Sequence, residues 1–108
     1  MSIEETRLVV EGFLENQASK WLAEDAQLLD RGSSGRPGGR PEVASWFSRW
    51  NRVIPGRLLV TDGQSAVELT LFSEAGRAVS AAAVFDIRGG EIVRLHFFYD
   101  PASPLETP

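Results

Sequence analysis

The chain has 108 residues, 43% of them hydrophobic and 24% charged, and carries a formal net charge of −4. That length holds one domain with one core, and the acidic balance argues against a nucleic-acid partner, because phosphate binding needs a cationic surface. The lack of cysteine excludes disulfides and thiolate chemistry, and a single histidine excludes a multi-histidine metal centre within one chain, so neither metal nor cofactor is implied.

The opening segment, MSIEETRLVV, is acidic where a secretory leader is basic, and no later run approaches the roughly 20 apolar residues that cross a bilayer. The expected protein is cytoplasmic, with no membrane partner, and its arginine-rich basic set fits bacterial, GC-rich coding. Ile3 to Asn16 is predicted helical. Ile3, Val10, Phe13 and Leu14, with Trp21 beyond them, form one stripe, while Glu4, Glu5, Arg7, Glu11 and Glu15 point outward. Ser2 caps this helix and Glu5 completes a capping box. A short second helix is expected from Ala18 to Ala23, carrying Trp21 and Leu22 inward, followed by a first strand from Ala26 to Asp30. Arg31 to Gly39 holds four glycines and a proline and reads as a loop. Val43, Trp46, Phe47, Trp50 and Ile54 repeat at helical spacing, which predicts a third helix from Pro41 to Arg52, ended by Pro55-Gly56.

A four-strand meander completes the chain, at Arg57–Thr61, Gln64–Phe72, Ala78–Ile87 and Glu91–Asp100. Its turns fall at Asp62-Gly63, Ala75-Gly76 and Gly89-Gly90. Alternation assigns Val67, Leu69, Leu71, Val79, Ala81, Ala83, Phe85, Ile87, Val93, Leu95, Phe97 and Tyr99 to the inner face. The outer face carries Glu68, Thr70, Asp86, Arg88, Arg94 and His96, together with Phe72, Ala82, Val84 and Phe98, which is more apolar surface than a solvated sheet presents. A homodimer packed sheet to sheet accounts for it. Residues 1–100 form the single domain, and the proline-rich tail 101–108 is expected to fray. The fold class is therefore α+β, a curved antiparallel sheet wrapped on about three N-terminal helices.

This order of elements, with AEDAQLLD before the glycine-rich loop, Gly39-Arg40 opening the third helix and GGEIVRLHFFYDP closing the chain, resembles the nuclear transport factor 2-like superfamily. The motifs are most similar to its SnoaL-like branch, which includes polyketide cyclases, limonene epoxide hydrolases and ketosteroid isomerases. The resemblance implies a cone-shaped barrel with an apolar pocket, and often a sheet-mediated dimer. It places Asp30 where the isomerases keep the carboxylate that moves a proton, whereas the two donors that stabilise the enolate there align with Phe13 and Ala83. Tyr99 is the candidate replacement donor. The arginine and two carboxylates of the epoxide hydrolases align with Leu69, Leu71 and Phe97, which excludes that route of water activation, and Phe97 also occupies the acid/base position of the cyclases.

Asp30 carries the functional expectation: a carboxylate among Phe13, Trp21, Trp46 and Phe97 is desolvated, which raises its pKa above about 3.9. The competing structural role is an aspartate bonded to the amides of the loop that follows. Phe13, Trp21, Trp46, Trp50, Leu69, Ala83 and Phe97 are the expected ligand-lining set, and the tryptophans serve the core equally well. His96 falls on the outer face, and Asp100 ends its strand. The run RGSSGRPGGR offers arginines and amides to an anion but lacks the ending of a phosphate-binding loop. Three functions fit: a cofactor-free isomerase, cyclase or lyase for a hydrophobic carbonyl compound, with Asp30 as general base and Tyr99 as donor; a protein that holds an apolar ligand without turnover; or a dimeric interaction module.

Overall fold

The computed structural model describes residues 2–16, 19–30 and 38–104, with residues 100–104 described by main chain alone. Helix α1 spans Ile3–Asn16 and a single 3-10 turn covers Ser19–Trp21. Strand β1 (Leu22–Asp30), helix α2 (Arg40–Ser48) and strands β2 (Arg52–Thr61), β3 (Gln64–Phe72), β4 (Ala78–Arg88) and β5 (Glu91–Pro104) follow. The five strands form one sheet in the order β1-β5-β4-β3-β2. β1 runs parallel to β5 and every other pair is antiparallel, so the sheet is mixed where an antiparallel one was expected. The parallel pair is possible because α2 and three strands intervene and supply the long crossover that parallel neighbours need.

Among the described residues two α-helices, rather than three, lie over this sheet. The expected second helix reduces to the 3-10 turn because Leu22 and Ala23 are already buried in β1, with Leu22 opposite Ile92. Its predicted start at Ala18 lies outside the described residues, as does most of the Arg31–Gly39 loop, of which Gly38 bridges Leu28. Helix α2 stops at Ser48 instead of Arg52, and Pro55-Gly56, read as a helix stop, sits inside β2. The ladder between β2 and β3 is irregular between Pro55 and Leu58. β2 is an edge strand, where a proline is tolerated. Ile54 is consequently 37% exposed instead of turned into the core. β5 continues to Pro104, past the expected end at Asp100; the remainder of the tail lies outside the described residues.

The capping box forms as expected, with Glu5 N–H on Ser2 Oγ and Ser2 N–H on Glu5 Oε1. The buried stripe of α1 is Thr6, Val9, Val10 and Phe13, while Ile3 is 49% exposed. Thr6 is a polar residue doing an inward job. Its Oγ1 accepts the Gly63 N–H at 2.9 Å and donates to the Ser2 carbonyl at 3.0 Å, tying the start of α1 to the β2–β3 hairpin. Mid-helix Gly12 has a packing reason as well, because a Cβ there would run into the indole of Trp21.

The inner face is buried as alternation predicts from Val67 through Ile87, and again at Leu95 and Phe97. Val93 and Tyr99 are only partly covered, and Ile92 is fully buried in place of Val93. The cause is an irregularity that pairs Ile87 with Ile92 but Asp86 with Arg94, leaving one additional residue on β5. Such a bulge reverses the parity of the residues beyond it.

Candidate functional site

Asp30 is the last residue of β1 and stands opposite Phe97 of β5. It is 6% exposed, one of few buried polar side chains among the described residues. Its Oδ2 accepts three hydrogen bonds: from Trp46 Nε1 at 2.9 Å, Arg49 Nη2 at 2.8 Å and Tyr99 Oη at 3.1 Å. Arg49 Nη2 also donates to Tyr99 Oη at 3.2 Å, closing a small ring of polar contacts. The geometry follows from local structure. Trp46 lies in the last turn of α2 and Arg49 is its C-cap, three residues on with helical dihedrals, so the two share a face. Tyr99 lies two residues beyond Phe97 and so points to the same side of β5.

The apolar setting expected around Asp30 exists on one side only. The Trp46 ring stacks on Phe97 with centroids 3.8 Å apart and planes 16° apart. Against that surface the carboxylate accepts from three donors, one the Trp46 indole itself and one a cation, and donors to a carboxylate favour its charged form against desolvation. The Arg49 side chain is 48% exposed and that of Asp30 only 8%, so water screens the arginine end and the ion pair is weaker than a fully buried one. The Tyr99 hydroxyl is pushed above its usual value of 10.0, chiefly by burial and next by the Asp30 charge, with Arg49 pulling the other way. Tyr99 therefore keeps its proton near neutral pH and acts as the donor in its bond to Asp30.

Asp30, Tyr99, Trp46 and Phe97 thus converge, and Trp50 joins them with its ring edge-on to Tyr99 at 5.6 Å. Phe13, Leu69 and Ala83 are core: each is at most 2% exposed. Phe13 meets Phe47 and Phe85 edge to face, and Phe47 and Phe85 meet Phe97 in the same way. Trp21 packs on α1 at Gly12 instead. The indole N–H groups of Trp21 and Trp50 are buried without a hydrogen-bond partner among the described residues. Arg49 is the participant that sequence reasoning missed. No other cation of that segment stands three residues from Trp46, but the spacing marks no role by itself. His96 lies on the outer face with its ring 5.1 Å from that of Phe98. The side chain of Asp100 and most of RGSSGRPGGR lie outside the described residues.

No protein-family model matches the chain, and no curated protein matches it either. Solved structures do. An NTF2-like protein of unknown function from Cytophaga hutchinsonii superposes with a TM-score of 0.76 at 19% identity, over 90% of this chain and 91% of that one. A putative ketosteroid isomerase from Kribbella flavida gives 0.77 at 20% identity, over 98% and 84% of the two chains. A putative SnoaL-like polyketide cyclase from Jannaschia sp. gives 0.70 at 11% identity, over 90% and 86%. The fold of this chain is that of the nuclear transport factor 2-like superfamily. No helix among the described residues is long and apolar enough to cross a membrane.

Proposed function

We propose that the chain binds a small, largely apolar organic molecule through an acceptor oxygen, such as a carbonyl, at the Asp30–Arg49–Tyr99 cluster. The observation that carries this reading is the triple use of Asp30 Oδ2. An oxygen already accepting three hydrogen bonds has little lone-pair capacity left for a substrate proton, so it serves best as an anchor that orients Arg49 and Tyr99. The half-exposed guanidinium retains the N–H groups of Nε and Nη1 for a ligand. Because Asp30 balances its charge, the cluster suits an uncharged acceptor. Trp46 and Trp50 supply aromatic surface, and the buried Trp50 N–H is a further donor in want of a partner. Titration with uncharged cyclic ketones, followed by tryptophan fluorescence, is expected to give saturable quenching. Arg49→Met should weaken it about tenfold or more. Affinity indifferent to Arg49 would overturn the reading.

A second reading, a cofactor-free isomerase, cyclase or lyase with Asp30 as general base, is favoured by one contact: Tyr99 Oη lies 3.1 Å from the carboxylate, which puts a donor and a base within reach of one substrate. It requires a bound ketone to exchange its α-hydrogen with heavy water, and Asp30→Asn to stop the exchange while binding survives. Binding without exchange leaves the first reading alone.

Assembly as a homodimer through the outer sheet face belongs to the same proposal. Leu59, Ala66, Val84 and His96 lie in one row across the sheet, and Ala82 and Phe98 pair in the next. Leu59 is 64% and Phe98 42% exposed, an apolar surface that a second copy would cover. The expected result of sedimentation is a dimer that Leu59→Arg with Phe98→Arg converts to monomer; a monomeric parent chain would end this part of the proposal.

A further inference from the structure

The row of inner-face residues that ends at Asp30 has a second end. Asp30 stands opposite Phe97, Phe97 opposite Ala83, Ala83 opposite Val67, and Val67 opposite Leu58 on the edge strand β2. Phe97 and Ala83 are completely buried, so they separate the two ends. At the β2 end, where the ladder is irregular between Pro55 and Leu58, a groove of about 410 Å³ opens between the sheet and α1. That volume lies within the range of small-ligand sites. Its floor is apolar, formed by Leu14, Pro55, Leu58 and Val67, and its lip carries Glu11 and Glu15. Among the described residues, those two are the only ionisable ones lining it.

The two carboxylates sit four apart on one helix, which makes them neighbours of like charge that destabilise α1 when nothing lies between them. Neither takes part in an ion pair or side-chain hydrogen bond among the described residues. Arg57, the nearest cation in sequence to the floor, lines a separate hollow on the opposite face of the sheet together with Leu59, Ala66 and Ala82. The groove therefore combines an apolar body with an uncompensated pair of negative charges at its mouth. A hydrated metal ion gains nothing from the apolar floor, and a neutral hydrocarbon gains nothing from the carboxylates.

We infer that this groove is a binding site for an organic ammonium ion with a compact apolar body, the charged nitrogen lying between Glu11 and Glu15 and the hydrocarbon on Leu14, Leu58 and Val67. It is distinct from the Asp30 cluster and selects the opposite ligand chemistry. The test is a titration of the whole chain with phenethylammonium, followed by amide and methyl NMR, with 2-phenylethanol as the uncharged counterpart and calcium chloride as the metal control. Phenethylammonium is expected to shift the Leu14, Leu58 and Val67 methyl signals. The alcohol should bind about tenfold more weakly, and the double variant Glu11→Gln, Glu15→Gln should lose about tenfold in affinity. These two positions are on the helix surface, so the variant should keep the fold, which the undisturbed remainder of the spectrum checks. Rising salt should weaken the complex. The inference is overturned if millimolar amine leaves these methyls unmoved, if the alcohol binds equally well, if the double variant binds unchanged, or if calcium alone reproduces the shifts. Shifts confined to Trp46, Trp50 and Tyr99 would also overturn it, since they would place the amine at the other site.

Discussion

Phe97→Ala is expected to remove about 3–5 kcal/mol of stability, within the range for emptying a fully buried aromatic position. Phe97 has no exposed surface, stacks on Trp46 and meets Phe47 and Phe85 edge to face. Its loss therefore opens a hole beside several rings at once, and rings held by one another cannot all relax into it. Against a total stability of about 5–15 kcal/mol for a domain of this kind, that is about a fifth or more. Melting should fall by about 10–20 °C. The near-ultraviolet circular dichroism should weaken with it, because Trp46 loses the surface that fixes its orientation. Leu8→Ala, at a position 65% exposed, is the control and should stay within about 0.5 kcal/mol. A Phe97→Ala loss as small as the control's would mean that the interior is not packed around this ring.

Much of this architecture was legible because it is written in local chemistry. Gly63 and Gly89-Gly90 adopt the positive φ angles that the hairpins require, and β3 and β4 keep strict alternation because nothing interrupts their pairing. Asp30 and Tyr99 were reached through the resemblance, Asp30 by the position it shares with the isomerases' carboxylate and Tyr99 as the candidate replacement donor. What escaped depends on partners far away in sequence. The parallel pairing of β1 with β5 turns Leu22 and Ala23 into strand, and no local signal distinguishes that from a short helix. The bulge that buries Ile92 in place of Val93 exists only relative to β4. Pro55-Gly56 looks like a stop signal, yet an edge strand absorbs it. Arg49 finds Asp30 across 19 residues and Tyr99 across 50, separations at which a helix surface arginine carries no mark of its role. Thr6, buried to make two hydrogen bonds, is invisible to hydropathy for the same reason.

Asp30→Ala is expected to cost about 1–3 kcal/mol, and the reason is the Trp46 indole rather than the ion pair. Trp46 is 3% exposed, so its Nε1–H would be left in the core without an acceptor. Arg49, already half in water, would simply turn to solvent. Arg49→Met should therefore cost less, about 1 kcal/mol, since an exposed partner adds little. Asp30→Asn should fall between the parent chain and Asp30→Ala, because its amide oxygen can still accept from Trp46. If the cluster acts as a unit, Asp30→Ala combined with Arg49→Met will be no less stable than Asp30→Ala alone; strictly additive losses would show two independent contacts. Tyr99 gives an independent readout, as the chain's one tyrosine, so phenolate absorbance reports it without interference. Its pKa is raised in the folded protein in part by the charge and hydrogen bond of Asp30. A group raised on folding contributes stability that is complete below its unfolded value, about 10, and is lost as pH climbs through the folded value. Asp30→Ala removes two of the causes that raise it while leaving burial in place, so the Tyr99 titration should move down toward 10 and the alkaline loss of stability should shrink. A phenolate titration unchanged by Asp30→Ala would mean that the carboxylate does not hold the tyrosine, and the cluster would lose its direct side-chain link between Asp30 of β1 and Tyr99 of β5.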